Sequence, residues 1–444
     1  MPSTIAPQQQ WTRGPWNELH DAALHGSTER TIALLSSGSI DIHQGDPEGS
    51  TPLMCAAQKG YSRVARILLK NGAHVSIARD GGFSALHVSA QEGHLAVTID
   101  LVRAGSDLEA RTSEGGTPLH LAAQSVCSEA MSALIEAGAN VDNRAADGAT
   151  PLFVAANRGH LNAVRKLLHA KADPLSLRMW PSGETSVPLD AAAEGGHTEV
   201  VRELIEQFGI EGCAGVSGGV DALRAAAQEP YVHIMAMLTN AGVVDTGLAL
   251  VSAAKWCSEA AVKFLLQQRQ REASPIGLVG YASSRDETGA TPLFGSIDFC
   301  AQVGGMRRLP SPRVVRLLVD AGADTTSAVR ATNAVGVIRN FGTPLAHTNA
   351  LLGLKKIRGL DATEEQLHRL EAIRRLLLRV EAAHAVSWLW PSDFPSVAKA
   401  TGDTTKTATR KPATSTQLTL MLPILRRRGR GALLSPLLRF SSYP

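Results

Sequence analysis

One seven-residue pattern returns along this chain at a fixed interval, and that interval limits what the chain can fold into. Thr51-Pro52-Leu53-Met54-Cys55-Ala56-Ala57 reappears as Thr117-Pro118-Leu119-His120-Leu121-Ala122-Ala123 and as Thr150-Pro151-Leu152-Phe153-Val154-Ala155-Ala156. Ser84-Ala85-Leu86-His87-Val88-Ser89-Ala90 fills the gap between the first two, so the anchors 51, 84, 117 and 150 lie 33 residues apart each time. Weaker copies start at Asn17, Val187, Asp221, Leu248, Thr291 and Thr343. A period of a few tens of residues marks a small unit that cannot bury its apolar surface alone and must stack on its neighbours.

The residues within one period predict its parts. Thr before Pro before an apolar run is a helix start, because the Thr side chain caps the helix and Pro at the first position supplies φ without losing a needed N–H. The Ala-Ala pairs are short enough for a neighbouring helix to come close. Gly60, Gly93 and Gly159 fall nine residues after their anchors, where a first helix should stop and reverse. A second helix then buries Leu68-Leu69, Leu101-Val102, Leu134-Ile135 or Leu167-Leu168, and Gly72, Gly105 or Gly138 ends it. Asp46 with Gly49, and Asp147 with Gly148, have the composition of a tight hairpin before the next anchor.

These residues resemble the ankyrin repeat, whose signature of Thr-Pro-Leu-His, Ala-Ala, Gly-His, Leu-Leu and Gly-Ala they carry over about residues 17–205. The signature degenerates over 206–390 and is absent from the tail. The resemblance implies an all-α repeat solenoid of about ten helix-turn-helix units with short β-hairpin loops, and a protein-binding role. The expected organisation is a flexible N-terminus at 1–15, well-formed repeats at 16–205, and degenerate repeats with insertions and a capping helix at 206–390. A disordered basic tail follows at 391–444.

Departures from the pattern carry their own expectations. Val126 replaces the glycine between helices, and Lys171 replaces the terminal one, each costing about 1 kcal/mol. From Thr150 to Val187 the spacing is 37, which lengthens the hairpin at 178–186, whereas 27 residues from Asp221 to Leu248 leave no room for one. Extra residues separate the two helices after Thr291, another insertion lies near Leu354–Asp361, and Glu364–Trp388 reads as the capping helix.

Catalytic chemistry finds no constellation here. His20, His87 and His120 share one template position, but equivalent positions on packed helices are roughly 10 Å apart, too far to share a metal. They are read as bonding nearby turns. Gly212–Gly219 resembles a phosphate loop only in glycine content, since no Lys-Ser/Thr follows and no apolar strand precedes it. HExxH, GxSxG and kinase motifs are absent, so catalytic residues, cofactor sites and metal ligands are all expected to be none, and the chain is not read as an enzyme.

Composition bounds the rest. Hydrophobic residues at 44% and charged residues at 19% exclude a wholly disordered chain. The five cysteines, Cys55, Cys127, Cys213, Cys257 and Cys300, are scattered without a CxxC pair, which fits neither a disulfide framework nor a zinc finger. No long uncharged apolar run suggests a membrane span, and Met1-Pro2-Ser3-Thr4 does not begin a secretion signal. An intracellular monomer, cytoplasmic or nuclear, is the expectation. The net charge of +3 conceals an asymmetry: residues 401–444 hold eight Lys/Arg and one acid, leaving 36 basic against 40 acidic side chains elsewhere.

Function is therefore expected to be non-catalytic protein–protein interaction, as a scaffold or adaptor, on the concave hairpin/first-helix face. Arg79, Asp80, Phe83, Gln91, Glu92, Arg111, Ser113, Glu114, Gln124, Arg144, Asp147, Asn157 and Arg158 occupy the variable template positions on that face. Trp180, in the lengthened hairpin, is a candidate anchor. Their mixed charge favours no single class of partner. The alternative is targeting of nucleic acid or an anionic membrane through Arg426, Arg427, Arg428 and Arg430.

Overall fold

The computed structural model describes residues 13–126, 128–179, 185–213, 219–229, 231–272, 275–286, 288–302, 310–326, 329–332, 338–357 and 364–389. The chain divides into two compact units, Met1–Ala249 and Leu250–Pro444.

Helix pairs make up the first unit. They are α1 (Glu18–Leu24) with α2 (Thr28–Ser36), α3 (Pro52–Lys59) with α4 (Ser62–Lys70), and α5 (Ala85–Gln91) with α6 (Leu95–Arg103). Next come α7 (Pro118–Gln124) with α8 (Glu129–Glu136), and α9 (Pro151–Arg158) with α10 (Leu161–His169). The run ends with α11 (Pro188–Glu194) and α12 (Thr198–Cys213), then α13 (Val220–Gln228) and α14 (Val232–Asn240). First helices α1, α3, α5, α7, α9, α11 and α13 pack side by side in chain order.

The caps form where the pattern places them. Met54 N–H donates to Thr51 Oγ1 at 3.4 Å, and Phe153 N–H to Thr150 Oγ1 at 3.3 Å. Gly60 and Gly159 take left-handed φ values of 75° and 74°. A Cβ at Gly60 would lie 2.6 Å from His94 Nδ1, and one at Gly159 would lie 2.3 Å from His197 Nδ1. Only glycine fits there, because the imidazole of the next unit rests on the turn. Lys171 accepts the left-handed conformation at φ 69° in place of the missing glycine. At Val126 the chain takes another route: Ser125 is extended, and Val126 is left 80% exposed.

The core repeats with the sequence. Leu19, Leu53, Leu86, Leu119, Leu152 and Leu189 of the first helices are all buried, as are Leu68, Leu101, Leu134, Leu167 and Leu204 of the second. Each such burial contributes about 1.5–3 kcal/mol. From Leu53 to Leu189, each first-helix leucine lies on a helix packed between two other first helices, so the loss of one loosens two interfaces.

The helix at Asp221 begins slightly earlier than its anchor suggests, at Val220 after a left-handed Gly219. α12 also runs past the expected end at Phe208, with a break at Gly209 (φ 65°). Strands β1 (Arg178–Met179) and β2 (Thr185–Ser186) pair antiparallel at the lengthened hairpin.

The second unit keeps the helix pairs and loosens what joins them. It contains α15 (Leu248–Lys255), which begins at the boundary between units, and α16 (Glu259–Glu272). After α17 (Pro275–Ala282) come α18 (Pro292–Gln302) and α19 (Pro312–Asp320). Strands β3 (Val329–Thr332) and β4 (Ile338–Gly342) precede α20 (Pro344–Ile357) and the long α21 (Glu364–Leu389). α17 and the β3–β4 hairpin are additions that the repeat pattern does not announce. Between α15 and α16, Cys257 takes the left-handed turn at φ 51°. Among the described residues, no helix is long and apolar enough to cross a membrane.

Candidate functional site

The residues between helix pairs form tight turns that stack on one another. Within a turn, Arg79 N–H donates to Phe83 O at 3.0 Å, Thr112 N–H to Gly116 O at 2.9 Å, and Ala145 N–H to Ala149 O at 2.9 Å. Between turns, Asp80 N–H reaches Glu48 O at 2.9 Å, Ser113 N–H reaches Gly81 O at 2.8 Å, and Ala146 N–H reaches Glu114 O at 2.9 Å. Each tip thus supplies the acceptor for the next, giving the row one register.

Several candidate side chains are spent in tying this row together. Arg13 pairs with Asp80 at 2.5 Å, and that guanidinium holds the Asp80 carboxyl below the usual carboxylate range. Arg111 donates to Gly115 O at 3.1 Å, to Arg144 O at 2.7 Å and to Asn143 Oδ1. Arg144 repeats the move one unit on, donating to Leu177 O at 2.5 Å. Arg178 bridges to Asp147 at 2.6 Å and lies 5.2 Å over the Phe153 ring. Arg79 and Phe83 are half-buried, with the guanidinium 5.3 Å from the ring centroid. Exposed ion pairs of this kind hold geometry more than they add stability.

A second group stands apart. Gln91, Glu92, Gln124, Asn157 and Arg158 are exposed at the ends of α5, α7 and α9, and Ser113 and Glu114 at a hairpin tip. Among the described residues their side chains make no hydrogen bond or ion pair. Gln58 and Glu194 hold the equivalent helix-end positions, and Glu48 the equivalent tip position; all three are exposed. Sequence reasoning passed over these three, although the 33-residue register already aligns Gln58 with Gln91, Gln124 and Asn157. Trp180, and the basic run Arg426, Arg427, Arg428 and Arg430, lie outside the described residues. Beside Trp180, Met179 is 63% exposed.

The buried histidines have both ring nitrogens occupied. Ser84 N–H donates to His87 Nδ1 at 3.2 Å while His87 Nε2 meets Ala110 O at 3.0 Å. His120 does the same with Thr117 N–H at 3.2 Å and Ala149 O at 3.0 Å, and His20 with Asn17 N–H at 3.4 Å and Ser50 O at 2.9 Å. Burial lowers the pKa of all three, so they stay neutral and act as struts between a helix and the next hairpin. Among the described residues, no group of three His, Cys, Asp or Glu is placed to hold a metal.

Asp190 occupies the same helix position as those histidines. Val187 N–H donates to its Oδ2 at 2.9 Å, whereas buried Oδ1 has no partner among the described residues. Burial pushes its carboxyl up to about 7. The Cys55 thiol is likewise pushed up, to about 12, which makes it a packing group and not a nucleophile. An open cleft of about 470 Å³ lies among α6, α8 and α10, lined chiefly by Leu95, Ile99, Val102 and Ala133 with Glu129 and Lys166. Lys166 Nζ spans to Ser128 O at 2.7 Å, so its charge braces two units.

Comparison with known proteins agrees with this geometry. A family model described as ankyrin repeats (3 copies) matches residues 19–112 and 86–177. The chain is 44% identical to protein phosphatase 1 regulatory subunit 27 of Mus musculus over 64 residues, 14% of this chain and 41% of that protein. It is 42% identical to the Homo sapiens protein of the same name over the same length and shares. Over 54 residues, 12% of this chain and 7% of the relative, it is 46% identical to palmitoyltransferase AKR1 of Candida glabrata. The chain thus spans less than half the length of each of these relatives. The matched segment, residues 19–177, is thus a run of ankyrin repeats, and its stacked helix pairs and stitched hairpins agree with that match.

Proposed function

We propose that the chain is a non-catalytic scaffold or adaptor, binding a protein partner through the face made by its hairpin tips and first-helix ends. The observation that carries this reading is a division of labour on that face. Arg13, Asp80, Arg111, Arg144, Asp147 and Arg178 hold one hairpin to the next. Gln91, Glu92, Gln124, Asn157 and Arg158 are exposed and their side chains bond nothing among the described residues, while the residues just before them in the same helices are buried. The stack is complete without them, so they are free to meet something else.

Similarity to two proteins named as regulatory subunits supports a binding role. Similarity to a palmitoyltransferase covers 7% of that protein, too little to bring an activity with it. The test is capture from lysate on the immobilised full chain, comparing wild type with the double variant Glu92→Lys, Arg158→Glu. A partner retained by wild type and lost from the variant, with unchanged circular dichroism, supports this face. Retention by both moves the binding site elsewhere.

A further inference from the structure

The helix-end side chains have a chemistry of their own. Gln58, Gln91, Gln124 and Asn157 close successive first helices, α3, α5, α7 and α9, which pack side by side. All four are exposed, and among the described residues none of their carboxamides is hydrogen-bonded. Their own backbone is held: His94 Nε2 meets Gln58 O at 3.0 Å, His160 Nε2 meets Gln124 O at 3.0 Å, and His197 Nε2 meets Asn157 O at 2.9 Å. Each of these imidazoles comes from the following unit, so the repeat itself sets the interval between carboxamides. Glu194 ends the row as an exposed carboxylate at the same helix position.

We infer that this row binds an extended peptide segment in the polyproline II conformation, gripping its main chain through the carboxamides and orienting it by a cation against Glu194. The inference rests on the binding face proposed above. A carboxamide carries both donors and an acceptor, the complement of a peptide group. An α-helix offers no such groups, having spent its own N–H and C=O internally. The interval then selects among extended chains. Packed helices lie about 8–10 Å apart, and a polyproline II turn of three residues advances about 9.3 Å, so one main-chain group meets each carboxamide. A β-strand returns to the same face after two residues, about 6.6–6.8 Å, and falls out of step. The occupant is therefore a segment of a protein partner with a three-residue period, a free N–H once per period and a Lys or Arg at one end.

The test uses the full chain and fluorescence anisotropy with labelled synthetic peptides. One probe is four Ala-Pro-Pro triplets with an arginine at either end; the control is six Ala-Pro pairs carrying the same arginine, which misplaces the N–H groups. Saturable binding of the triplet peptide, at least about tenfold tighter than the control, is expected. The quadruple variant Gln58→Ala, Gln91→Ala, Gln124→Ala, Asn157→Ala should weaken it at least about tenfold, and Gln124→Ala alone about threefold. Glu194→Gln should erase the preference between the two arginine placements. Circular dichroism of the variants controls for folding, and Gln124→Ala decides the matter if the quadruple variant unfolds. Equal binding of both peptides, no saturation up to about 1 mM, or binding unaffected by Gln124→Ala overturns the inference. Failure here, with partner capture still lost in Glu92→Lys, Arg158→Glu, leaves the face standing and removes only the peptide mode. Capture that survives the charge reversal removes both.

Discussion

Residues 51–170 and residues 187–213 are built on the same helix pair, yet opposite groups hold their first turns. In the earlier stretch His87 and His120 stand as neutral struts, each donating across to the carbonyl of the next hairpin. In the later one Asp190 occupies that position, caps its own helix through Oδ2, and buries Oδ1 without a partner among the described residues. Both arrangements keep the leucine and Ala-Ala core buried. The difference teaches that core packing defines the unit, while the hydrogen bond to the next unit is a separate element that can be replaced. A unit can lose that bond and remain folded, at the cost of a buried carboxyl that prefers its proton.

The sharpest way to break the comparison is to remove the shared part. Leu119→Ser introduces a hydroxyl at a fully buried position between α5 and α9, with an expected cost of about 2–5 kcal/mol. Urea unfolding should show the loss, and hydrogen exchange should rise in α5 and α9 as well as α7. A rise confined to α7 would mean that the units do not share their interfaces.

A smaller effect separates the two struts by pH. The folded pKa of Asp190 is raised, so its contribution is fully present below the unfolded value near 4 and is lost as pH rises through about 7. Asp190→Asn should therefore stabilise the protein at pH 8 by about 1–3 kcal/mol and much less at pH 5. His87 and His120 are lowered, so their contribution is present above about 6.5 and is lost as pH falls through the folded value. Thermal stability across pH 4–8 should thus lose, in Asp190→Asn, the component that falls as pH rises from about 4 to about 7, and keep the histidine component that rises toward about 6.5. Survival of the fall between about pH 4 and 7 in the variant would show that Asp190 is not the titrating group.

Two minor changes test the joints. Lys171→Gly relieves a left-handed lysine at φ 69° and should stabilise by about 1 kcal/mol. Arg111→Ala cuts the links to Gly115 and Arg144 on an exposed edge, with an expected cost below about 1 kcal/mol. Melting temperature resolves the first, and exchange at Ala145–Ala149 the second.

What the sequence made legible follows the same division. Thr-Pro anchors placed the starts of α3, α7 and α9, and turn glycines the ends of α3 and α9, because caps and left-handed glycines are local signals. The lengthened hairpin at 178–186 was visible from spacing alone. α17 and the β3–β4 hairpin were not, since insertions carry no register to compare with. At the candidate face, exposure of Gln91 and Gln124 follows from position in the repeat. The engagement of Asp80, Arg111, Arg144 and Asp147 does not, because their partners lie on other hairpins or in Arg13, far away in sequence.

The most direct test of the binding face is a hydrogen-exchange footprint of the full chain, free and saturated with a captured partner. The account predicts slowed exchange at the hairpin tips 79–83, 112–116 and 145–149 and at the ends of α5, α7 and α9, with second helices α4, α6 and α10 unchanged. Protection that falls on those second helices and spares the tips would contradict it.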